Sequence, residues 1–170
     1  VVTVEPEPEN ARLLRANLAA NFSGGYSVVQ GGVALGDGTM PLYLSKNPSN
    51  KYRHSMRMTK GRDHISVPVH ALSGLLARTV GGRRINAVKM DIEGMEIEIL
   101  EAWTKLRPKP RLRALVFEYT FDYDPSLVRF RKIAKLLRSV FKTVHHRKLD
   151  PHATEYKFYP PCITVYCVNP

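Results

Sequence analysis

Acidic side chains stand at the ends of three apolar segments that the residue pattern predicts to be β-strands. Glu5, Asp91, Glu93 and Glu118 occupy these positions. In an open α/β sheet, ligands bind outside the carboxyl ends of the strands, so these carboxylates are the first candidates for a functional site. A carboxylate there can accept hydrogen bonds from the two hydroxyls of a ribose, or take a proton from a reacting hydroxyl. For Glu5 the competing interpretation is an acid that stabilises the start of the following helix through the helix dipole.

A charged motif occupies the second of these strand ends. Lys89, Asp91 and Glu93 are alternate residues and therefore share one face of the predicted strand. In the middle of a parallel sheet each unpaired ion would carry a large desolvation cost, so these groups must either pair or face a ligand. Gly94 allows the backbone to approach a ligand closely, and Glu96 begins the next helix. This location favours a functional motif over a purely structural Lys89–Asp91 ion pair.

Helices and strands alternate along the chain, which predicts an α/β fold with a mainly parallel sheet and a C-terminal antiparallel strand. The 170 residues suit a single domain, spanning 1–170. A glycine-containing turn at 36–39 predicts a hairpin into a strand at 40–44. The other predicted strands cover residues 1–4, 26–30, 65–69, 87–92, 112–117 and 162–168. Four helices are predicted: one begins after residue 10, one covers residues 70–79, one begins at residue 96 and one covers residues 126–141.

A polar excursion at residues 45–64 lies between two of the predicted strands and carries six lysines and arginines. Segments of this length without regular structure are often functional in compact domains. His54 in this segment is a candidate base, because an imidazole can take a proton near neutral pH. A single histidine in a loop is more often a solvated surface residue, so both interpretations stay open.

Three motifs in this order resemble the FkbM-type S-adenosylmethionine-dependent methyltransferases. They are VEPEPEN at residues 4–10 with Leu13, Leu14 and Asn17, VALGD at 33–37, and VKMDIEGME at 88–96 with Leu100. The resemblance implies the class I methyltransferase fold, a Rossmann-like sheet whose last strand is antiparallel.

The resemblance also implies a cofactor and a reaction. The cofactor would be S-adenosylmethionine, and the reaction would be O-methylation of a hydroxyl on a sugar, a polyketide or another small metabolite. On the cofactor side, the implied residues are Glu5 and Pro6 at the ribose and Ala34 and Leu35 at the adenine. On the acceptor side, the implied residues are Lys89, Gly94, Glu96 and Glu118, and the candidate bases are Asp91, Glu93 and His54.

Enzymes of this family begin with a strand and an acidic, glycine-rich turn that contacts the methionine part of the cofactor. That unit would precede Val1, and none of the 11 glycines in the sequence provides a substitute. We therefore expect an N-terminally truncated domain, which is either a fragment of a longer chain or a degenerate protein.

The chain is strongly basic, with 26 lysines and arginines against 15 acids and a formal net charge of +11. Eight of the basic residues fall between 125 and 149, where there is no acid. This cluster favours an acidic acceptor, or an alternative function as a non-catalytic module that binds polyanions on a degenerate methyltransferase fold. A solvated helix face explains the same pattern. No RNA-recognition motif accompanies the cluster, so a nucleic-acid partner is not expected.

Metal, membrane and compartment signals are weak. Cys162 and Cys167 are too few for a zinc site. Asp91, Glu93 and Glu118 offer the oxygen ligands that Mg²⁺ prefers, but no spacing rule supports a metal, and none is assigned. No apolar run in the sequence reaches membrane-spanning length. The sequence leaves the compartment and the oligomeric state open.

Overall fold

The computed structural model describes residues 1–46, 54–57, 61–80, 85–106, 112–123, 125–157 and 161–169. The contacts between residues divide the chain into two compact units, Val1–Gly81 and Gly82–Pro170. Each unit has its own sheets and helices.

The first unit begins with a parallel β-α-β segment. Strand β1 (Val2–Glu5) is followed by helix α1 (Pro8–Asn21), and it pairs in parallel with strand β2 (Ser27–Gln30). Proline suits the first turn of a helix because its backbone angle is already helical. The Glu7 side chain caps α1 by accepting the amide hydrogen of Asn10. The predicted order of strand, helix and strand over residues 1–30 is confirmed.

A three-stranded sheet and a helix complete the first unit. Strands β3 (Gly32–Ala34), β4 (Gly38–Tyr43) and β5 (His64–Ala71) lie in the order β3-β5-β4. The expected hairpin at residues 36–39 is wrong, because β5 lies between β3 and β4 and takes the backbone hydrogen bonds of both. β5 pairs in parallel with β3 through its last residues and antiparallel with β4 through the rest. Helix α2 (Leu72–Val80) follows directly.

The second unit contains a four-stranded sheet and two helices. Its elements in chain order are β6 (Ala87–Met90), α3 (Glu96–Lys105), β7 (Ala114–Thr120), α4 (Leu127–Arg138), β8 (Thr143–His145) and β9 (Cys162–Val168). The strands lie in the order β6-β7-β9-β8. β6 and β7 are parallel, and β9 is antiparallel to both of its neighbours.

The core of the second unit lies on one face of this sheet. Alternate residues of β7 and β9 are buried there, since successive side chains of a strand point to opposite faces. Helix α4 contributes a buried stripe at helical spacing, and α3 contacts both α4 and β7. The buried residues include Leu115, Phe117, Tyr119, Phe130, Ile133, Leu137, Ile163, Val165 and Cys167.

The predicted α/β class is confirmed, and so is the antiparallel strand near the C-terminus. The described strands form three sheets with mixed pairing, since three of the six strand pairings are antiparallel. In the four-stranded sheet, β6, β7 and β8 run in one direction and only β9 runs in the other. The connections from β4 to β5 and from β8 to β9 contain no described crossover helix, and strands joined in this way pair antiparallel. Of the helices that the structure describes, none combines the length and the apolar character needed to span a bilayer.

Candidate functional site

Glu5 lies at the junction between β1 and α1. Its Oε1 accepts the amide hydrogen of Glu7 at 2.9 Å, and its carbonyl oxygen accepts the amide hydrogen of Gly31 at 3.0 Å. The start of a helix leaves several amide hydrogens without helical partners, so a carboxylate is stabilised there. Glu5 Oε2 has no partner within the described ranges. The side chain is half-buried, as is that of Pro6, and this oxygen is available to accept hydrogen bonds from a ligand.

Ala34 and Leu35 lie at the end of β3 in the same unit. Ala34 is buried, whereas Leu35 is 62% exposed and presents an apolar surface. Asp37 fixes the turn that follows, because its Oδ1 accepts the amide hydrogen of Ala71 at 3.2 Å and lies 3.5 Å from the guanidinium of Arg78. Asp37 is the last residue of the VALGD motif at 33–37, but the sequence analysis gave it no role of its own, since an acid in a glycine-containing turn is a common surface feature.

Lys89 and Asp91 form an ion pair at the end of β6. The Lys89 Nζ lies 3.0 Å from the Asp91 Oδ2, and the two side chains are 74% and 41% exposed. β6 stands at one end of the described four-stranded sheet, so the expected buried central strand is not observed there. The expected desolvation cost is therefore small, because water screens the pair. Asp91 Oδ1 has no partner in the part of the chain that the structure describes.

Glu118 lies inside β7, and the expectation that it closes its strand is wrong. The strand continues to Thr120 because its last residues pair with β9, with Glu118 opposite Thr164. The register between β6 and β7 places Lys89 opposite Val116. Residues opposite one another share a face of the sheet, so Lys89, Val116 and Glu118 lie on the same face.

Gly94 and Glu96 lie where the turn after β6 meets α3. Both oxygens of the Glu96 carboxylate accept the Gly94 amide hydrogen, each at 3.0 Å from the nitrogen. Glu96 is only 3% exposed, and burial raises the pKa of its carboxyl group to about 7. Backbone hydrogen bonds lower this pKa in part, and the negative charge of Glu93 raises it. Glu96 and Gly94 are thus both buried, and their place on the acceptor side stays a prediction.

His54 lies beside β4. Its Nδ1 accepts the amide hydrogen of Ser45 at 3.0 Å. This bond places the ring proton on Nε2, so neither ring nitrogen remains to accept a proton from a ligand. The geometry favours a structural role for His54 over that of a base.

The structure brings the predicted residues together in pairs, Lys89 with Asp91 and Gly94 with Glu96. A family model described as the Methyltransferase FkbM domain matches residues 1–142. The chain belongs to the FkbM methyltransferase family. The match includes every predicted site residue, and it confirms the family that the three sequence motifs indicated. No curated protein and no solved structure gives a significant match.

Helix α4 of this FkbM protein carries exposed cations. Lys132 and Lys135 on the helix, and Lys142 and Lys148 beyond it, are exposed and have no ion-pair partner among the described residues. By contrast, Arg129 Nη2 lies 3.1 Å from the Glu98 Oε1. The side of α4 that faces away from the core is therefore a positively charged surface, and such a surface attracts anions.

No metal cluster occurs in the described parts of this FkbM protein. Groups of three or more histidine, cysteine, aspartate or glutamate side chains placed to hold an ion were not found there. The oxygen ligands Asp91, Glu93 and Glu118 therefore do not form such a group in the described structure.

Proposed function

We propose that this protein transfers a methyl group from S-adenosylmethionine to a hydroxyl oxygen of a sugar, a polyketide or another small metabolite. The family match over residues 1–142 supports methyl transfer. The observation that carries the proposed site is the Lys89–Asp91 pair at the carboxyl end of β6, with Nζ and Oδ2 3.0 Å apart. Because both side chains are exposed at a strand end, an entering acceptor can reach them.

We propose a class I methyltransferase fold for the chain. The sheet order is β6-β7-β9-β8, with β9 antiparallel to its neighbours. This order supports the proposed fold, because the last strand along the chain is the antiparallel one in the Rossmann-like sheet of that fold. The parallel pair of β1 and β2, joined through α1, is the kind of unit from which such sheets are built.

The residues at the end of β1 fit the ribose of the cofactor. When bound, S-adenosylmethionine supplies a methyl group on a positively charged sulfur, which makes the methyl carbon open to attack by an oxygen. Glu5 can accept hydrogen bonds from both ribose hydroxyls, because it is half-buried and its Oε2 is unengaged by any described residue. Pro6 lies beside it, and Ala34 with the exposed Leu35 would hold the adenine.

The acceptor hydroxyl must lose its proton when its oxygen forms the new bond. Asp91 is the first candidate base, because the Lys89 ammonium holds Oδ2 and leaves Oδ1 to take the proton. Glu93 is the second candidate, on the turn that follows. Glu118 lies on the same sheet face as Lys89 and would contact the acceptor. His54 is the weakest candidate, since its Nδ1 already accepts a backbone amide hydrogen.

An acidic acceptor suits this chain better than a neutral one. The formal net charge is +11, and Lys132 and Lys135 on α4 are exposed. Positive charge of this kind raises the local concentration of anions and speeds their association. An assay with isotopically labelled donor and matched pairs of hydroxyl compounds, with and without a carboxylate or phosphate, tests this preference.

Isothermal titration calorimetry with S-adenosylmethionine tests the cofactor site. We expect saturable heat from the 170-residue chain. Glu5→Ala should weaken binding about 10- to 100-fold, because the ribose hydroxyls lose a charged acceptor. Glu9→Ala is the matched control, since Glu9 belongs to the same acidic segment and pairs with Arg12 at 2.6 Å. Absence of heat at millimolar cofactor, or equal weakening by both substitutions, contradicts the proposed site.

A further inference from the structure

The turn between β6 and α3 holds Glu93 in a backbone conformation that a residue with a side chain does not favour. Glu93 has a φ of +51° and Gly94 a φ of +106°. A residue with a side chain rarely adopts positive φ, because its Cβ then approaches neighbouring backbone atoms. Glu93 is the one described non-glycine residue that does so. Interactions with the surroundings must therefore hold this turn in its conformation.

Glu96 supplies such an interaction. Its two carboxylate oxygens each lie 3.0 Å from the Gly94 nitrogen. Gly94 and Glu96 are both buried, so water does not replace these bonds. Loss of the carboxylate would leave a buried amide hydrogen without its acceptor, which buried backbone groups rarely tolerate.

Glu96 does not itself face the acceptor. Its side chain is directed into the second unit and is 3% exposed, whereas the Asp91 side chain is 41% exposed. The carboxylate accepts the amide hydrogen of Gly94, which directly follows Glu93 in the turn after Asp91. Any effect of Glu96 on methyl transfer must therefore act through the shape of the turn.

We propose that Glu96 is a positioning residue, which fixes Asp91 and Glu93 toward the acceptor hydroxyl by accepting hydrogen bonds from the turn that carries them. This inference rests on the proposed function. Glu96 takes no proton from the acceptor. A base displaced by about 1 Å loses much of its catalytic effect. The hydrogen bonds between Glu96 and the turn therefore control the rate of methyl transfer.

Nuclear magnetic resonance of the ¹⁵N-labelled protein tests the geometric part without any activity. In the wild-type protein the Gly94 amide signal should move as the pH passes about 7, because its acceptor carboxyl gains or loses a proton there. Glu93, whose charge faces the same carboxyl, affects the midpoint of this titration. Glu96→Gln keeps one acceptor oxygen and should fold, but its Gly94 signal should not titrate. Glu101→Gln, on the same helix, should behave as the wild type.

Methyl-transfer kinetics test the functional part. Glu96→Ala removes both acceptor oxygens, so kcat should fall about 100-fold while the KM for the donor stays unchanged. Glu96→Gln should restore kcat to within about tenfold of the wild type, because one acceptor oxygen remains. Glu101→Ala, the control, should leave kcat unchanged.

A Gly94 amide signal that stays constant over the whole range from about pH 3 to about pH 9 in the wild-type protein overturns the proposal, because this range includes the ordinary pKa of a glutamate as well as the raised one. Wild-type kcat in a folded Glu96→Ala variant overturns it as well. If Glu96→Ala does not fold, the Gly94 titrations of the wild type and of Glu96→Gln still show whether Glu96 bonds to the turn. If the wild-type protein methylates no acceptor, the proposed function fails, and the resonance titration reports separately on whether Glu96 holds the turn.

Discussion

The two acidic strand-to-helix junctions of this protein use carboxylates in opposite directions. At the end of β1, Glu5 accepts the amide hydrogen of Glu7, and Glu7 accepts that of Asn10, so each carboxylate reaches forward along the chain. At the end of β6, Glu96 reaches backward to Gly94. The carboxylates of the first junction are half-buried, whereas Glu96 is 3% exposed.

The difference between the junctions shows what burial adds to a common sequence pattern. Amide hydrogens at the start of a helix stabilise an acid in either place. In the accessible junction, Glu5 keeps an oxygen that a ligand can reach. In the buried junction, Glu96 uses both oxygens internally, and burial raises its pKa to about 7. The first junction is suited to binding, and the second is suited to holding its neighbours in position.

The largest expected effect concerns the candidate base of the second junction. Asp91→Asn keeps the size of the side chain but removes its ability to take a proton, so turnover should fall about 10²- to 10⁴-fold. A methyl-transfer assay measures the loss, and circular dichroism checks that the fold is intact. Asp150→Asn, at an exposed position of the same unit, is the control. Unimpaired turnover in Asp91→Asn would mean that the motif at 88–96 is structural.

The next effect is the pH dependence of stability that Glu96 creates. Below about pH 4.5 its carboxyl is protonated in both the folded and the unfolded chain. Between about pH 4.5 and about pH 7 the unfolded chain loses this proton and the folded chain keeps it, so the free energy of unfolding falls as pH rises. The contribution is about 3 kcal/mol in total.

Denaturant unfolding across this pH range measures the contribution of Glu96. Glu96→Gln does not ionise, so its free energy of unfolding should lack this part of the dependence on pH. As pH rises, the free energy of unfolding of Glu96→Gln should therefore increase relative to that of the wild type. Glu101→Gln should keep the wild-type slope. Parallel curves for wild type and Glu96→Gln would show that burial does not raise the pKa of Glu96 in the folded protein.

A smaller effect is expected at the turn of the second junction. Gly94→Ala places a side chain at a φ of +106°, and the strain should lower the free energy of unfolding by about 1–2 kcal/mol. Gly36→Ala is the control, because its added Cβ would meet nothing within 4 Å. Thermal unfolding measures both variants, and an equal result for the two would argue against a constrained turn.

The smallest effect is expected at the accessible junction. Glu7→Ala removes the side chain that accepts the Asn10 amide hydrogen, and loss of such a cap lowers the free energy of unfolding by about 1 kcal/mol. Glu9→Ala removes an exposed partner of Arg12 and should lower the free energy of unfolding by a smaller amount. Denaturant unfolding separates the two, and a larger loss from Glu9→Ala would show that Glu7 does not cap α1.

Elements with a strong local pattern could be predicted from the sequence. β9 lies at the predicted residues 162–168, because buried and exposed side chains alternate along it. α4 lies within the predicted helix at 126–141, because its apolar residues have helical spacing. The acids at the ends of β1 and β6 were found for the same reason, since each follows an apolar run.

Strand pairing and burial could not be predicted in this way. The position of β5 between β3 and β4, and the extension of β7 past Glu118, depend on partners that are distant in the sequence. The inward direction of Glu96 depends on tertiary packing, because glutamate is almost always exposed. The sequence indicated which residue types lie near the site, and the structure was needed to separate the exposed Asp91 from the buried Glu96.

The position of β9 affects how the protein folds while it is being synthesised. β9 follows β7 and β8 in the chain but lies between them in the sheet. β7 pairs with β6 on one side and with β9 on the other, and the described pairing of β8 is with β9, so β7 and β8 do not pair with each other. A chain that leaves the ribosome from its N-terminus must therefore leave one backbone edge of β7 and one of β8 unpaired until residues 162–168 emerge. During this interval the nascent chain is a target for aggregation and for chaperones that bind apolar segments.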